Sequence, residues 1–403
     1  MMKFNTSKRL SLDHYDYLIV GAGIIGMTIA YELLERDFQL KIAIIDKEED
    51  VAKHASGRNS GVLHAGFYYS ADSLKAKFTV EGNRQMRQFC SKNNIFVNNT
   101  KKIVVVKDES ELPGLYELQK RAETNGVDTK IIDESEVEKI DPNIKTYKKA
   151  LYSPTTASVD PKEVCFKLRD VLRGKGVEFY FDTPFESCTI EYDYLINAAG
   201  AYADKIANKF GLAQNYMMLP FKGIYLKYMQ DKTAIKTNIY PVPNLNNPFL
   251  GVHYTVTVDG SIKIGPTAIP AFWRENYAGF EKFNLLEMVE ILYYEAKLFI
   301  MNSFNFRSLA IDEMQNYNKK TFIQKAKDMV YNIGNNFKPM PAGIRAQLLD
   351  KNTNELVQDF VLEHSRKSTH VLNAVSPAFT CSFAFAKYVV DQINQNKGKN
   401  DVK

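Results

Sequence analysis

Residues 17–46 carry the clearest pattern of hydrophobic and polar positions in the chain. An apolar run at residues 17–20 leads into a glycine-rich stretch from Gly21 to Gly26, and a helix-patterned segment then precedes a second apolar run that ends at Asp46. Short continuous apolar runs bounded by glycine are typical of buried parallel strands. The pattern therefore predicts a strand, a tight turn, a helix and a second strand, the beginning of an α/β sheet.

The glycine-rich turn has the G-x-G-x-x-G spacing found in dinucleotide-binding proteins, with a strand before it and a helix after it. Its first glycine permits the tight turn, its second lets the backbone approach a pyrophosphate, and its third lets helix and strand pack closely. Asp46 follows Gly26 by 20 residues, as expected for an acid that binds a ribose hydroxyl. The alternative is a buried strand–turn–helix with incidental glycines. The predicted dinucleotide site comprises Gly21, Gly23, Ile24, Ile25, Gly26, Asp46 and Lys47.

The remaining pattern predicts helices and strands in two different arrangements. Helical periodicity or capping signals are found at residues 81–95, 109–125, 160–176, 285–330 and 382–394. Strand patterns are found at residues 102–107, 177–181 and 194–198, and as short runs within 220–270 and 342–375. Residues 47–80 lack periodicity, and a connection of that length is more often functional than a plain linker.

This order of elements predicts a discontinuous two-domain protein, α/β in class and α+β overall. The length of 403 residues exceeds the size at which one hydrophobic core usually keeps growing. A Rossmann-like nucleotide-binding domain is predicted at residues 1–84, 150–216 and 341–403. An inserted antiparallel-sheet domain that binds the substrate is predicted at residues 85–149 and 217–340.

Charge and composition narrow the class of partner. The net charge of +5 is too small and too scattered to indicate nucleic-acid binding. It suits a small anionic substrate, and it also permits weak peripheral attraction to an acidic membrane surface. A hydrophobic fraction of 45% is ordinary for a globular protein.

The cysteines and the N-terminus bear on the compartment. Cys90, Cys165, Cys188 and Cys381 are scattered, and no His/Cys cluster has the spacing of a metal site. Cysteines scattered in this way fit a reducing environment. Residues 1–14 lack an apolar signal region, and no apolar stretch is long enough to span a bilayer. The sequence therefore predicts a cytoplasmic protein without a metal site, peripheral at most on the inner face of the cell membrane.

Four segments resemble the FAD-dependent D-amino-acid-oxidase superfamily, and more closely the L-2-hydroxyglutarate oxidase/dehydrogenase family. The glycine turn with Asp46 is shared with many flavoproteins, whereas the second and fourth segments are the specific ones. Together the four cover nearly the whole chain. They are residues 21–46, residues 54–69 (HASGRNSGVLHAGFYY) with 73–77, residues 249–254 (FLGVHY) with 265–266, and residues 343–347 (GIRAQ) with 370–377 (HVLNAVSP).

The resemblance implies FAD as the cofactor and oxidation of L-2-hydroxyglutarate to 2-oxoglutarate, with a hydride passing from C2 to flavin N5. The substrate is then a dicarboxylate hydroxy acid, and the electron acceptor is oxygen or a quinone. Ala199 and Gly200 follow a predicted strand, and Ser376 and Pro377 precede the last predicted helix. The further cofactor-binding residues expected are Ser56, Arg58, Asn59, Ser60, Gly61, Ala199, Gly200, Gly343, Arg345, Ser376 and Pro377.

The chain departs from the family pattern at three places. The ribose acid is Asp46 where the superfamily more often has Glu, and Lys222 stands where an arginine is expected. Lysine keeps the charge but loses the bidentate fork. Residues 378–381 (AFTC) are bulkier than the small-residue run expected beside the flavin. These departures bear on the substrate more than on the cofactor.

Oxidation of an alcohol requires a base for the hydroxyl proton and cations for the carboxylates. Histidine is the usual base near neutral pH, and His253 and His64 are the candidates among the six histidines. Both can equally be packed structural histidines, and in some relatives a histidine in a loop like that of His64 attaches to the flavin. The residues expected to bind the substrate are Arg345, Tyr69, Lys75, Lys222 and Tyr254.

Other functions stay open at this point. The same fold would suit an amine oxidase acting on glycine, sarcosine or another amino acid. Glycerol-3-phosphate oxidation would require a basic phosphate-binding cluster that the sequence does not point to. A flavin-binding module without turnover is the alternative outside enzymology, and the candidate base and Arg345 count against it.

Overall fold

The strands and helices are those of a computed structural model that describes residues 14–243 and 251–401. The strands are β1 His14–Val20, β2 Ile42–Ile45, β3 Val62–Leu63, β4 Lys102–Val105, β5 Lys130–Asp133, β6 Lys149–Ser153, β7 Ala157–Ser158, β8 Glu178–Tyr180, β9 Glu191–Asn197, β10 Tyr216–Gly223, β11 Leu226–Tyr228, β12 Asn238–Pro241, β13 His253–Val256, β14 Ile262–Gly265, β15 Ile269–Pro270, β16 Phe337–Pro339, β17 Gly343–Asp350, β18 Glu355–Leu356, β19 Val361–Ser365 and β20 Ser368–Asn373. The α-helices are α1 Ile24–Arg36, α2 Leu74–Lys92, α3 Leu112–Thr124, α4 Glu134–Ile140, α5 Pro161–Gly174, α6 Ala203–Asn208, α7 Leu285–Met301, α8 Phe306–Met314, α9 Lys319–Lys327 and α10 Ala378–Asp401.

The six-stranded sheet has the order β19-β20-β9-β1-β2-β8. β1 pairs in parallel with β2 and β9, β8 with β2, and β20 with β9, and the edge strand β19 is antiparallel. Helices α1, α2, α5 and α10 pack together beside this sheet. Apolar side chains of β1 and α1 join those of α10 in one buried cluster, for example Ile19, Leu33 and Phe385. The predicted parallel α/β sheet is therefore confirmed.

The inserted part is built of antiparallel strands. An eight-stranded sheet has the order β16-β11-β14-β13-β12-β4-β6-β5, in which only the β4–β12 pair is parallel among the described strands. A four-stranded antiparallel sheet has the order β15-β10-β17-β18. The strands predicted within residues 220–270 are confirmed. The exact domain limits stay a prediction, since β17 follows residue 341 but pairs with β10.

Several element boundaries differ from the predicted ones for local reasons. Helix α2 begins at Leu74 rather than near residue 81, because the Ser73 hydroxyl accepts a hydrogen bond from the Ala76 N–H at 3.1 Å and caps the helix. The Asp160 cap before Pro161 is as predicted, with the carboxylate accepting from the Lys162 N–H at 2.8 Å.

Two further segments differ from what the sequence pattern indicated. Residues 134–140, where no helix was predicted, form α4, which begins with a capping box between Asp133 and Glu136. The helical stretch 285–330 is split between α7 and α8, where Asn302, Phe304 and Asn305 have positive φ. No helix in the described part combines the length and the apolar character that crossing a membrane requires.

Candidate functional site

A cavity of about 940 Å³ lies where the carboxyl ends of the parallel strands face the antiparallel strands. Ligands of open α/β sheets bind at this edge of the strands. Four predicted residues are not part of the cavity lining: Gly26, Gly61, Lys222 and Tyr254. The predicted residues that line the cavity are Gly21, Gly23, Ile24, Ile25, Asp46, Lys47, Ser56, Arg58, Asn59, Ser60, His64, Tyr69, Lys75, Ala199, Gly200, His253, Gly343, Arg345, Ser376 and Pro377.

The glycine turn has no room for side chains at two of its positions. Gly21 has φ of +109°, and a Cβ on it would lie 2.5 Å from the carbonyl oxygen of Ala198. A Cβ on Gly26 would overlap the Gly21 carbonyl, which explains why Gly26 shapes the site without lining it. The turn therefore brings bare backbone and the N-terminal end of α1 to the cavity, an arrangement that favours a pyrophosphate.

Replacing Gly21 by Ala is expected to weaken FAD binding by about tenfold or more, since a positive φ in a non-glycine residue stores about 1–3 kcal/mol of strain. The added methyl group also pushes against Ala198. The measurement is the dissociation constant of FAD, titrated into flavin-free protein. Gly174→Ala is the matched control, because a Cβ on Gly174 meets nothing within 4 Å. The affinity of this variant for FAD should therefore stay unchanged. An FAD affinity of the Gly21 variant equal to that of the wild type would contradict the assignment of the glycine turn to the pyrophosphate.

Asp46 is held in place by backbone donors at the end of β2. Its carboxylate oxygens accept from the Ala22 N–H at 2.8 Å and from the Glu48 N–H at 3.0 Å. Burial raises the pKa of Asp46, and these two N–H donors together with the nearby positive charge of Lys47 counteract that rise. The carboxylate thus lies beside the glycine turn, where the 20-residue spacing predicted it.

The loop 54–61 is folded over the start of α1. The Ser56 hydroxyl accepts from the Ile24 N–H at 2.9 Å, and Asn59 donates to the Ser56 carbonyl at 2.8 Å. Arg58 donates to the Lys53 carbonyl at 2.7 Å, and its guanidinium lies 4.2 Å from the centre of the Tyr277 ring. The polar side chains of this loop are therefore fixed by the protein itself and face the cavity in a defined arrangement.

His253 presents a lone pair to the cavity. Its Nδ1 lies 2.9 Å from the carbonyl oxygen of Gly251, and because a carbonyl only accepts, Nδ1 carries the proton and Nε2 does not. Its ring stacks on Tyr240 with centroids 3.7 Å apart. Burial, followed by the charge of Lys102, lowers the pKa of His253 to about 3. The imidazole is therefore neutral at physiological pH.

His64 lies in the loop after β3 and is also buried. Its backbone N–H donates to the Thr380 hydroxyl at 3.1 Å, which ties the loop to α10. Its Nδ1 has no hydrogen-bond partner among the described residues, and the same is true of the Tyr68 hydroxyl. Burial lowers the pKa of His64 well below its usual value. His64 and Tyr68 both line the cavity, so the described part of the protein leaves two buried polar atoms without a hydrogen bond close to it.

Several cationic side chains line the cavity, and two of them, Arg345 and Lys75, are predicted substrate-binding residues. Arg345 is carried by β17 opposite Phe221, and Lys75 by the first turn of α2. Burial lowers the pKa of Lys75 to about 8; the Asp359 carboxylate raises it and the Arg345 charge lowers it. Tyr69, whose ring centre lies 5.9 Å from the Lys75 ammonium, completes this group. The arrangement suits a small molecule with more than one carboxylate.

Two predicted substrate residues point elsewhere. His253 and Tyr254 are neighbours on β13, and side chains alternate between the two faces of a strand, so only one of them can face the cavity. Tyr254 instead packs with Ile239 and Ile264 in a buried apolar cluster. Lys222 is engaged by Asn276, to which its ammonium donates at 3.1 Å. Residues 249–250 of the family motif lie outside the described residues.

Several residues that line the cavity are not among the predicted site residues, for example Tyr68, Tyr240 and Arg121. Tyr68 lies beside Tyr69 in a motif already recognised as specific, so proximity in sequence was a usable signal. Tyr240 becomes part of the site only because β12 pairs with β13, which places it under the His253 ring.

Glu48, His54 and Glu275 bring three potential metal-ligand atoms within 4.8 Å of one another. Lys47 lies 2.6 Å from Glu48 and 2.5 Å from Glu275, and Lys282 lies 2.8 Å from each. Two carboxylates are therefore matched by two ammonium groups. The cluster is an ion-pair network that fastens the loop around Glu275 to the end of β2.

Comparisons with known proteins agree with the geometry. The family model described as FAD dependent oxidoreductase (DAO) matches residues 16–392. A mitochondrial L-2-hydroxyglutarate dehydrogenase of Caenorhabditis elegans is 36% identical, over 97% of this chain and 96% of its own. One of Nematostella vectensis is 34% identical, over 94% of this chain and 90% of its own.

A solved structure shares the fold. L-alpha-glycerophosphate oxidase of Mycoplasma pneumoniae, with FAD bound, superposes with a TM-score of 0.73 and 20% identity, covering 95% of each chain. At that identity the likeness speaks for the fold and not for the substrate.

Proposed function

The chain belongs to the FAD-dependent oxidoreductase family, and on that premise we propose that it oxidises L-2-hydroxyglutarate to 2-oxoglutarate. The proposal rests on one observation: a single cavity brings a neutral histidine together with Arg345 and Lys75, two of the cations that line it. A hydroxy acid with two carboxylates provides a hydroxyl for the base and an anion for each cation. The curated relatives that match over nearly the whole chain are L-2-hydroxyglutarate dehydrogenases.

FAD fits the residues that are present. The glycine turn leaves bare backbone for a pyrophosphate, Asp46 is suited to a ribose, and the cavity volume is within the range of cofactor sites. Ser56, Asn59, Ala199 and Ser376 are the other groups that would hold it. When bound, FAD supplies the two-electron acceptor of the oxidation.

The protein's own part in the reaction is to hold the substrate and to take a proton. Arg345 and Lys75 bind the carboxylates and fix C2 in one orientation, and His253 Nε2 takes the hydroxyl proton. The low pKa of His253 reflects burial and neighbouring cations. Substrate carboxylates bring negative charge to this region and raise that pKa toward the range of an effective base.

The test is a comparison of substrates under anaerobic conditions. L-2-hydroxyglutarate, D-2-hydroxyglutarate, glycine, sarcosine and glycerol-3-phosphate are mixed separately with the FAD-loaded protein, and the absorbance of oxidised flavin is followed. The proposal expects rapid bleaching by L-2-hydroxyglutarate alone. Bleaching by an amine and not by L-2-hydroxyglutarate would replace the proposal with an amine oxidase. Bleaching by none of them would favour a flavin-binding module.

We also infer that the enzyme is cytoplasmic, attaches peripherally to a membrane and passes its electrons to a quinone there rather than to oxygen. Large apolar side chains are exposed along α7 and α8, including Leu286 at 82% and Ile300 at 71% exposure. Other large apolar side chains exposed on the same two helices are Leu285, Val289, Tyr293, Met301, Ile311 and Met314. Exposed apolar helix faces of this kind bind membrane interfaces, and quinones are dissolved in the bilayer.

Exchanging Leu286 and Ile300 together for Glu is expected to abolish co-sedimentation with vesicles of neutral and anionic phospholipid, since two charges oppose insertion of the apolar face. Flavin reduction by the substrate should be unaffected. Phe38→Glu is the matched control, because Phe38 is 81% exposed but lies between α1 and β2. Binding that survives the double exchange would contradict the membrane contact.

A further inference from the structure

Lys102 is a lysine without contact to water. It is the first residue of β4, it is 0% exposed, and its ammonium has no hydrogen-bond partner among the described residues. Burial lowers the pKa of Lys102 to about 7. An ionisable group buried without a partner is unfavourable for folding, so its presence calls for a functional reason. Lys102 does not line the cavity.

The surroundings of the Lys102 ammonium are aromatic. It lies 3.8 Å from the centre of the Tyr240 ring, 5.0 Å from that of Tyr68 and 5.6 Å from that of Phe67. The register of β4 and β12 explains the closest contact. Lys102 pairs with Asn238, so Tyr240, two residues further, lies on the same face of the sheet. A cation over an aromatic face is stabilised by the charge distribution of the ring.

Tyr240 also supports His253. The His253 ring stacks on Tyr240 at 3.7 Å and an interplanar angle of 18°. A ring has two faces, and contacts as close as these to one centre cannot share a face. The Tyr240 ring is therefore clamped between the Lys102 ammonium and the His253 imidazole, and the imidazole is on the cavity side.

We propose that Lys102 is a positioning residue that acts through the Tyr240 ring to orient His253 and to keep its imidazole in the neutral form that accepts a proton. The proposal rests on the proposed function, since it assigns a purpose to the base of that reaction. A cation behind the ring disfavours the imidazolium. As the pH falls, Lys102 with its pKa of about 7 becomes charged before His253 with its pKa of about 3. The ammonium therefore already carries its charge in the pH range where His253 would take up a second proton.

Other charged or titratable groups face His253 from neighbouring elements. They are His64 in the loop after β3, Lys263 on β14 and Arg345 on β17. Lys263 donates to the Ser60 carbonyl at 3.0 Å, and Arg345 serves the substrate in the proposed function. After burial, Lys102 contributes more than either of these two cations to lowering the pKa of His253. Lys102 is therefore the residue to change.

The first test is the pH dependence of flavin reduction in the FAD-loaded Lys102→Met protein. Methionine has a similar length and no charge, so the pKa of His253 should rise and the acid limb should move to higher pH by about one unit. Lys102→Arg keeps the charge, so the acid limb of its pH profile should stay at the wild-type position. Lys107→Met is the control, because Lys107 is exposed just beyond β4 and should leave the profile unchanged.

The second test does not depend on turnover. NMR of FAD-loaded protein labelled at histidine gives the His253 titration, assigned by the loss of its signal in His253→Asn. The His253 pKa should rise in Lys102→Met and stay near the wild-type value in Lys102→Arg. Unchanged pKa and unchanged acid limb in Lys102→Met would overturn the proposal. A shifted pKa in a protein that L-2-hydroxyglutarate does not reduce would refute the proposed function alone.

Lys102→Met is expected to fold, since it removes a buried ammonium that has no hydrogen-bond partner among the described residues. Thermal unfolding and FAD content are measured alongside. If Lys102→Met nevertheless fails to fold, Lys102→Gln takes its place in both tests. A normal His253 titration in that variant would equally overturn the proposal.

Discussion

His253→Asn is expected to slow the reduction of bound flavin by L-2-hydroxyglutarate by about 10²–10⁴-fold, the usual contribution of a general base. The Asn amide keeps a donor for the Gly251 carbonyl that His253 Nδ1 contacts, but it offers no basic nitrogen at the position of Nε2. The dissociation constant of the substrate should change little, because Arg345 and Lys75 remain. Both constants come from the dependence of the bleaching rate on substrate concentration in stopped flow.

Two companion variants make that result specific. His14→Asn changes an exposed histidine on β1, and the flavin of this variant should be reduced at the wild-type rate. His64→Asn tests the other candidate in the cavity. If flavin is reduced at the normal rate in His253→Asn and much more slowly in His64→Asn, the base is His64. The stacking of Tyr240 on His253 would then have no part in orienting the base.

Arg345→Ala is expected to raise the dissociation constant of L-2-hydroxyglutarate by about a hundredfold. Truncating one partner of a buried charged pair usually loses 2–5 kcal/mol, and each tenfold in affinity corresponds to about 1.4 kcal/mol. Arg345→Lys should recover part of the loss, since it restores the charge without the bidentate fork. The limiting reduction rate should fall less than the affinity.

The controls for Arg345 separate recognition from general damage. Arg84→Ala removes an exposed arginine whose ion pair with Glu81 lies on the surface of α2, and it should bind substrate normally. FAD content of each variant shows whether the cofactor site is intact. Unchanged substrate affinity in Arg345→Ala would mean that the carboxylates are bound elsewhere, with Lys75 as the next residue to test.

The cofactor side of the site could be predicted from the sequence because its determinants are local. The turn from Gly21 to Gly26 requires glycine for reasons of backbone geometry within one strand–helix unit, and Asp46 directly follows the next strand, β2. The distances of α1 and β2 from that turn are set by the covalent chain. Residue spacing alone was therefore sufficient to place them.

The substrate side could be predicted only in part, because it depends on pairing between distant strands. Tyr254 was predicted to bind the substrate because it follows His253 in sequence, but the alternation of side chains on β13 directs it into the core. Lys102 and Tyr240 meet through the parallel pairing of β4 with β12, two strands far apart in sequence. Neither the partner strand nor its register follows from the pattern of one segment.

In the proposed reaction the protein removes a hydride from C2 of L-2-hydroxyglutarate and forms 2-oxoglutarate. The most direct measurement is an anaerobic single turnover of the FAD-loaded enzyme with L-2-hydroxyglutarate carrying hydrogen or deuterium at C2. We expect one 2-oxoglutarate for each flavin bleached, and slower bleaching with deuterium. Absence of bleaching, or bleaching without 2-oxoglutarate, would contradict the proposed reaction.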